Sequence, residues 1–336
     1  MSESSLLQGR IGTYKIKGIR PFAFGRITVL FEATDQNGSS VCVKVFRGPP
    51  ANARGESLTE EFLREISVHQ RVRHPNILPI LDFGNEEGKE PRLFLVLPFC
   101  RGGNLRELMK EKDFLPPAEA LPILGQVGSA IDHAHGCGVI HGDIKPENIL
   151  LSGDRSYVYL TDFGISKYFA IEERISTAVP SMAAGSTAYL SPEQIDEGSQ
   201  SPRSDIYSFA VVAYELLTGS LPFDVRTGSY RQMQAKVSGN LIDPVVANPA
   251  ISEGTRVALL QGLKVDRKER PRSAVDFCQM LGGAKEPVRT PPGRVSAFWE
   301  SLQPMSKVAL VTAIITALTA IITAAIAIIP GLMHGK

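Results

Sequence analysis

Cysteine is scarce and scattered in this chain. Cys42, Cys100, Cys137 and Cys278 lie far apart, and no two form a C-x-x-C pair. That spacing argues against a structural zinc site or a disulfide framework and fits a reducing compartment. An excess of one charge is lacking too: 36 basic residues against 35 acidic leave a net +1. Binding to nucleic acid is therefore not expected. Residues 1–10 have no apolar core of the kind a signal peptide needs, and no stretch repeats. What is present is hydrophobic content, 43% of 336 residues, enough for two domains or one large bilobal one.

The chain is organised around His141-Gly142-Asp143-Ile144-Lys145-Pro146-Glu147-Asn148, answered by Asp162-Phe163-Gly164. Between them an apolar run, a Ser152-Gly153-Asp154 turn and a second β-rich run read as a hairpin with polar residues at both ends. Asp143 can accept a hydroxyl proton, and Asn148 and Asp162 offer hard oxygen ligands suited to Mg²⁺. Lys145 adds a cation where a transferring phosphoryl group develops charge. Any one of these residues alone is an ordinary turn former; the set at these spacings is not. It resembles the catalytic loop and metal motif of eukaryotic-like protein kinases, H-R-D-x-K-x-x-N followed by D-F-G.

The rest of the chain can be aligned to that resemblance. Residues 27–31 and 41–46 read as strands joined by a turn at Asp35-Gln36-Asn37-Gly38. The family's glycine-rich loop would place its three glycines at Ala23, Gly25 and Thr28, so that Gly25 alone keeps the residue that lets backbone approach phosphate. Lys44 stands in the middle of an apolar strand, a costly place without an anionic partner. Glu65, on a helix expected from Glu60 to about Val72 and capped by Thr59, matches the family's partner for that lysine. His69 follows one turn on and reads as a packing residue. The apolar run 93–97 ends in a hinge where the resemblance assigns adenine recognition to the Pro98 carbonyl and the Cys100 backbone, with Leu97 guarding the back pocket. Residues 162–193 form a long, pattern-poor stretch resembling an activation segment, closed by Gly185-Ser186-Thr187-Ala188-Tyr189-Leu190-Ser191-Pro192-Glu193. By the same resemblance Asp205 holds the catalytic-loop backbone, and Arg270 pairs with Glu193.

The tail differs. Residues 282–307 are rich in Pro and Gly and read as a linker, and 308–329 carry no charge. As a helix that run is roughly 33 Å long, matching a hydrocarbon core. Arg289, Arg294 and Lys307 precede it and only Lys336 follows, which puts the preceding domain on the cytoplasmic side. Residues 330–336 leave no room for an external sensor domain.

The expected organisation is a tail at 1–13, a kinase domain at 14–281, a linker at 282–307, a transmembrane helix at 308–329 and a short tail at 330–336. The domain divides into a small lobe at 14–97, a hinge at 98–101 and a large lobe at 102–281. The fold class is α+β, a bilobal protein-kinase fold with a C-terminal transmembrane helix. The implied function is a single-pass, membrane-anchored serine/threonine kinase of bacterial type, using ATP and Mg²⁺ and acting on Ser and Thr hydroxyls of proteins. Asp143, Lys145 and Asn148 are the catalytic residues. Lys44, Glu65, Gly25, Leu97, Cys100 and Asp162 bind the cofactor, with Asn148 and Asp162 on the metal. The resemblance also leaves room for a homodimer or autophosphorylation in trans. The rival reading is a membrane-anchored pseudokinase, a nucleotide-binding scaffold without turnover, suggested by the eroded glycine loop and by Gly142 in place of the usual arginine.

Overall fold

The computed structural model describes residues 6–18, 21–24, 28–46, 58–86, 92–163, 186–223 and 229–283. The chain separates into two compact units, Met1–Ala284 and Lys285–Lys336; the expected linker and transmembrane helix lie outside the described residues, as does Gly25. Among the described residues no helix is long and apolar enough to cross a membrane.

The first half is a twisted antiparallel sheet. Its strands are β1 (Leu6–Gln8), β2 (Thr13–Ile16), β3 (Ala23–Phe24), β4 (Thr28–Thr34), β5 (Ser40–Phe46), β6 (Asp82–Glu86) and β7 (Arg92–Pro98). They lie in the order β1-β2-β4-β5-β7-β6, with β3 paired on β4. The turn between β4 and β5 forms as its residues require. Asp35 Oδ1 accepts from the Asn37 and Ser39 amides, and Gly38 takes φ +81°, where an L side chain is strained. Strand β1 begins before residue 14 and is stapled in place by Asp82. That carboxylate accepts from the amides of Arg10, Ile11 and Gly12 at 3.0–3.2 Å and from the Tyr14 hydroxyl at 2.9 Å.

Both faces of β5 are buried. Val41, Val43 and Val45 join a core with Leu7, Tyr14, Val29, Phe94 and Val96. On the alternate positions, Cys42 packs with Leu78 and Leu97, and Phe46 with Phe62 and Ile66 of helix α1 (Leu58–Arg71). The two-residue period puts Lys44 on the side of Cys42 and Phe46, towards α1. It is 6% exposed, which a solvent-facing strand lysine would not be. Helix α1 begins at Leu58, so Thr59 lies inside its first turn and is not the cap.

The second half is helical: α2 (Leu105–Glu111), α3 (Pro117–Gly136), α4 (Pro192–Asp196), α5 (Pro202–Thr218), α6 (Ser229–Ser238), α7 (Pro244–Ala247), α8 (Glu253–Gly262) and α9 (Ala274–Leu281). Asn104 caps α2 with a reciprocal Glu107 bond. Helix α5 is buried on all sides from Ser204 to Thr218, the mark of a helix at the centre of a core rather than on its surface. Gly219 ends it in the left-handed conformation. A hairpin of β8 (Ile149–Leu151) and β9 (Val158–Leu160) carries the organising motif at its ends.

Candidate active site

Lys44 is where the sheet, α1 and the end of β9 converge. Its Nζ lies 3.0 Å from Glu65 Oε1 and 2.6 Å from Asp162 Oδ1. Burial works against the ammonium, but the Asp162 and Glu65 carboxylates outweigh it and hold its pKa above the usual lysine range. Burial raises the Glu65 carboxyl more than Lys44 lowers it, with the Asp162 charge adding to the rise; one cation serves two carboxylates. Burial also pushes on Asp162, but Lys44, then Lys145 and His141, draw its pKa down. Glu65 Oε2 is buried with no hydrogen-bond partner, whereas the Asp162 side chain keeps 42% of its surface accessible. Asp162 also takes φ +63°, a conformation costing of order 1–3 kcal/mol in a non-glycine residue.

Across the cleft, Asp143 is held through one oxygen. Lys145 Nζ donates to its Oδ2 at 2.8 Å and Asn148 Nδ2 to the same atom at 3.0 Å, with a further bond from Asn148 Nδ2 to the Asp143 carbonyl at 2.8 Å. The amide nitrogen of Asn148 is thus committed to Asp143, and no described protein donor reaches its oxygen. His141 supports the loop from below. Its Nδ1 accepts the Asp143 amide at 3.2 Å and its Nε2 lies 2.9 Å from the Thr161 carbonyl, which assigns the Nε2–H tautomer. Asp205, on α5, accepts the His141 amide at 2.8 Å and the Gly142 amide at 2.6 Å. Gly142 has φ +74°. A glycine adopts that backbone conformation without strain.

Three features escaped the sequence reading. Phe163 packs edge-on against His141 (centroids 4.6 Å) and against His69 of α1 (5.9 Å), tying the helix that carries Glu65 to the loop that carries Asp143. His69 is the packing residue expected of it: burial, then the Lys44 charge, lowers its pKa to about 4, so it stays neutral. Second, Leu30 and Leu150 pack from the two lobes against the cluster of Cys42, Leu78 and Leu97. Cys100 packs against the same cluster; its carbonyl accepts from Gly103 at 3.3 Å and its N–H meets no described protein acceptor. The place of Leu30 two residues after Thr28, at the valine of the glycine-loop pattern, was the available signal. Third, Lys236 is buried against the 187–190 turn, and no motif marks it. Glu193 and Arg270 do pair, through two bonds of 2.7 and 2.8 Å. The structure therefore brings Lys44, Glu65 and Asp162 together in one cluster and Asp143, Lys145 and Asn148 in another. Leu97 and Cys100 belong to one apolar cluster with Cys42 and Leu78. Among the described residues no group of three His, Cys, Asp or Glu side chains gathers as a metal site. A cavity of about 740 Å³ lined by Arg10, Ile66, His69, Arg73, Leu78 and Phe83 contains none of the expected site residues.

Residues 23–281 match the protein kinase domain family. The chain is 35% identical over 226 residues to the probable serine/threonine-protein kinase PknA2 of Bifidobacterium longum, a match covering 67% of this chain and 29% of that protein. It is 40% identical over 171 residues to the serine/threonine-protein kinase PknL of Mycobacterium tuberculosis, covering 51% of this chain and 41% of PknL. The chain thus aligns to well under half the length of these relatives. The kinase domain of Mycobacterium tuberculosis PknI, solved as a point mutant, superposes with a TM-score of 0.60 at 22% identity, over 84% of this chain and 98% of that one; this likeness speaks to the fold. The bilobal architecture, the paired motifs and this matched span together make the chain a member of the eukaryotic-like serine/threonine protein kinase family.

Proposed function

We propose that the chain is an ATP- and Mg²⁺-dependent protein kinase that transfers the γ-phosphoryl group to Ser and Thr hydroxyls of proteins. The observation that carries this reading is the buried Lys44 shared between Glu65 and Asp162 at 3.0 and 2.6 Å. A scaffold gains nothing from holding a lysine in the core between two carboxylates, one of them with an unpartnered oxygen. A nucleotide gives that cation a third partner: Lys44, fixed by Glu65, orients the α- and β-phosphates. The apolar cluster around Leu30, Cys42 and Leu150 has the character the flat face of a purine needs, with the Cys100 N–H as a donor to its edge.

The donor set also fits a magnesium ion. Asp162 and the Asn148 oxygen are hard ligands, and the ion they hold neutralises charge on the phosphates when bound. Asp143 receives both of its side-chain hydrogen bonds on Oδ2. Oδ1 is thereby left to orient the acceptor hydroxyl and take its proton. Lys145, already 2.8 Å from Asp143, stands beside the path of the transferred group and balances its charge. Transfer of label from ATP to myelin basic protein tests the reading, wild type against Asp143→Asn. Equal incorporation by both, or none by either, would remove it.

The uncharged run 308–329 supports a second part of the proposal, a C-terminal membrane tether with the kinase domain in the cytosol. Truncation after Pro304 is expected to release an active protein into the soluble fraction. A truncated chain that still sediments with membranes would refute the tether.

A further inference from the structure

The cavity of about 740 Å³ is walled by the end of α1, by the stretch 72–81 that follows it and by the start of β6. Arg10 and Ile11, between β1 and β2, and Tyr159 of β9 complete the wall. Its volume is that of a small-molecule site. Ile66, Leu78, Ile80 and Phe83 make much of the lining apolar.

The charge in that wall is one-sided. Arg10 and Arg73 both line the cavity, and neither guanidinium has an ion pair or hydrogen bond among the described residues. The Arg10 guanidinium lies 5.2 Å from the centre of the Phe83 ring. Stacking of this kind occupies the face of the guanidinium and leaves its edge donors for a planar anion. The backbone that presents Arg10 is fixed, because its amide donates to Asp82 Oδ1 and to the Phe83 carbonyl, each at 3.1 Å. Asp82 is the one carboxylate in the wall, and its oxygens are already taken. They accept from the amides of Arg10, Ile11, Gly12 and Phe83 and from the Tyr14 hydroxyl. His69 and His74 add no charge at neutral pH, since burial holds both below the ordinary histidine range. An apolar cavity with two unpaired guanidiniums and a saturated carboxylate suits an anion that carries an apolar body.

We propose that this cavity is a binding site for a small aromatic carboxylate. The carboxylate meets the edge of the Arg10 guanidinium, with Arg73 as the second cation, and the ring lies against Ile66, Leu78 and Phe83. The site is separate from the catalytic groups, although Ile66 directly follows Glu65 in α1. The inference does not rest on the kinase reading, because binding requires no transfer.

The test uses 2-naphthoate as the probe and the full chain in nanodiscs, with empty discs as the blank. Fluorescence titration compares wild type with Arg10→Met, Arg73→Met and Arg10→Lys. Wild type is expected to take up one molecule per chain. Each Met variant keeps an apolar stem, loses the charged donors and should raise Kd about tenfold. Arg10→Lys keeps a charge without the planar fork and should fall between. The cationic analogue 2-naphthylmethylammonium should not bind. A saturating non-hydrolysable ATP analogue should leave the stoichiometry of naphthoate unchanged. No uptake by wild type, equal affinity in the Arg10→Met variant, equal uptake of the cationic analogue or displacement by the ATP analogue would each overturn the proposal. Cross-linking of the same samples covers the remaining occupant. A dimer lost in Arg10→Met, with no naphthoate bound by wild type, would give this face to a second copy of the chain and overturn the proposal. Both arginines are exposed, so each variant is expected to melt as wild type does; if Arg10→Met does not, Arg73→Met decides on the same readout.

Discussion

Arg270 and Glu193 meet through two bonds of 2.7 and 2.8 Å, and the remaining groups of both are also engaged. Arg270 donates to the carbonyls of Lys264, Arg203 and Val265, and Glu193 Oε1 accepts from the Ser204 hydroxyl. Lys44 and Glu65 are as deeply buried, yet Glu65 Oε2 has no partner and the shared Asp162 stands half open to water. The first centre is saturated and ties α4, the start of α5 and the 264–271 loop into one body. The second is under-satisfied, with a cation holding two anions and capacity for more. Saturation is what a structural ion pair needs to offset desolvation; spare capacity is what a phosphate-binding one needs.

The largest expected effect tests that contrast directly. Arg270→Leu leaves Glu193 short of its partner and three carbonyls without a donor, and should cost about 3–5 kcal/mol of stability in urea unfolding. Lys44→Met should cost much less stability. The Glu65 carboxyl, already raised, takes a proton when its cation goes, and Asp162 has water to turn to. If the two variants unfold at the same urea concentration, the distinction drawn between the centres is wrong.

Activity should rank the other way. Lys44→Met is expected to raise the transfer barrier by roughly 3–4 kcal/mol, two to three orders of magnitude in rate. The measurement is single-turnover label transfer on a sample whose circular dichroism matches wild type. A folded and fully active variant would strip Lys44 of its role.

A smaller and sign-specific effect concerns pH. Burial raises the Glu193 carboxyl, but Arg270 more than compensates, and its folded pKa is depressed. Its contribution to stability is therefore complete above the unfolded value, about 4.3, and is lost as pH falls through the folded one. Glu65 is raised, so its ionised form is penalised in the folded state. That penalty is relieved as pH falls from above the folded pKa towards the unfolded one. Unfolding free energies measured from neutral to acid pH should accordingly show a shallower acid loss in Glu193→Gln and a steeper one in Glu65→Gln. Parallel curves for both variants would count against these assignments.

The smallest effect is expected in the activation segment. Gly142 stands where the family usually has an arginine able to pair with a phosphate on this segment, and its φ of +74° suits glycine. Replacing Ser176, Thr177 and Ser181 together by alanine should then change transfer to myelin basic protein by less than tenfold, about 1.4 kcal/mol. A larger fall would show phospho-control of the loop despite Gly142.

The groupings of the candidate site were largely legible in the sequence because they are carried by residue types at short, fixed spacings. Asp143, Lys145 and Asn148 lie within six positions, close enough for one short loop to bring them to one carboxylate. The sheet was legible for a similar reason: β-branched runs around Asp35-Gln36-Asn37-Gly38 can close only as a hairpin. The start of α1 was put at Glu60, with Thr59 as its cap, instead of at Leu58, because a capping residue inside a first turn looks the same in sequence as one before it. Contacts between distant residues were open to view only where a family pattern already paired them, as for Lys44 with Glu65 and Arg270 with Glu193. The Phe163 column between His69 and His141, the packing of Leu150 on the same cluster as Leu30, and the grip of Lys236 on three carbonyls needed the tertiary structure. A hydrogen bond to a backbone carbonyl, or a ring edge against a ring, leaves no trace in residue type. The sequence by itself determined which residue types are available to the candidate site; packing across 21 to 118 positions of chain decided which of them meet and how fully each buried charge is satisfied.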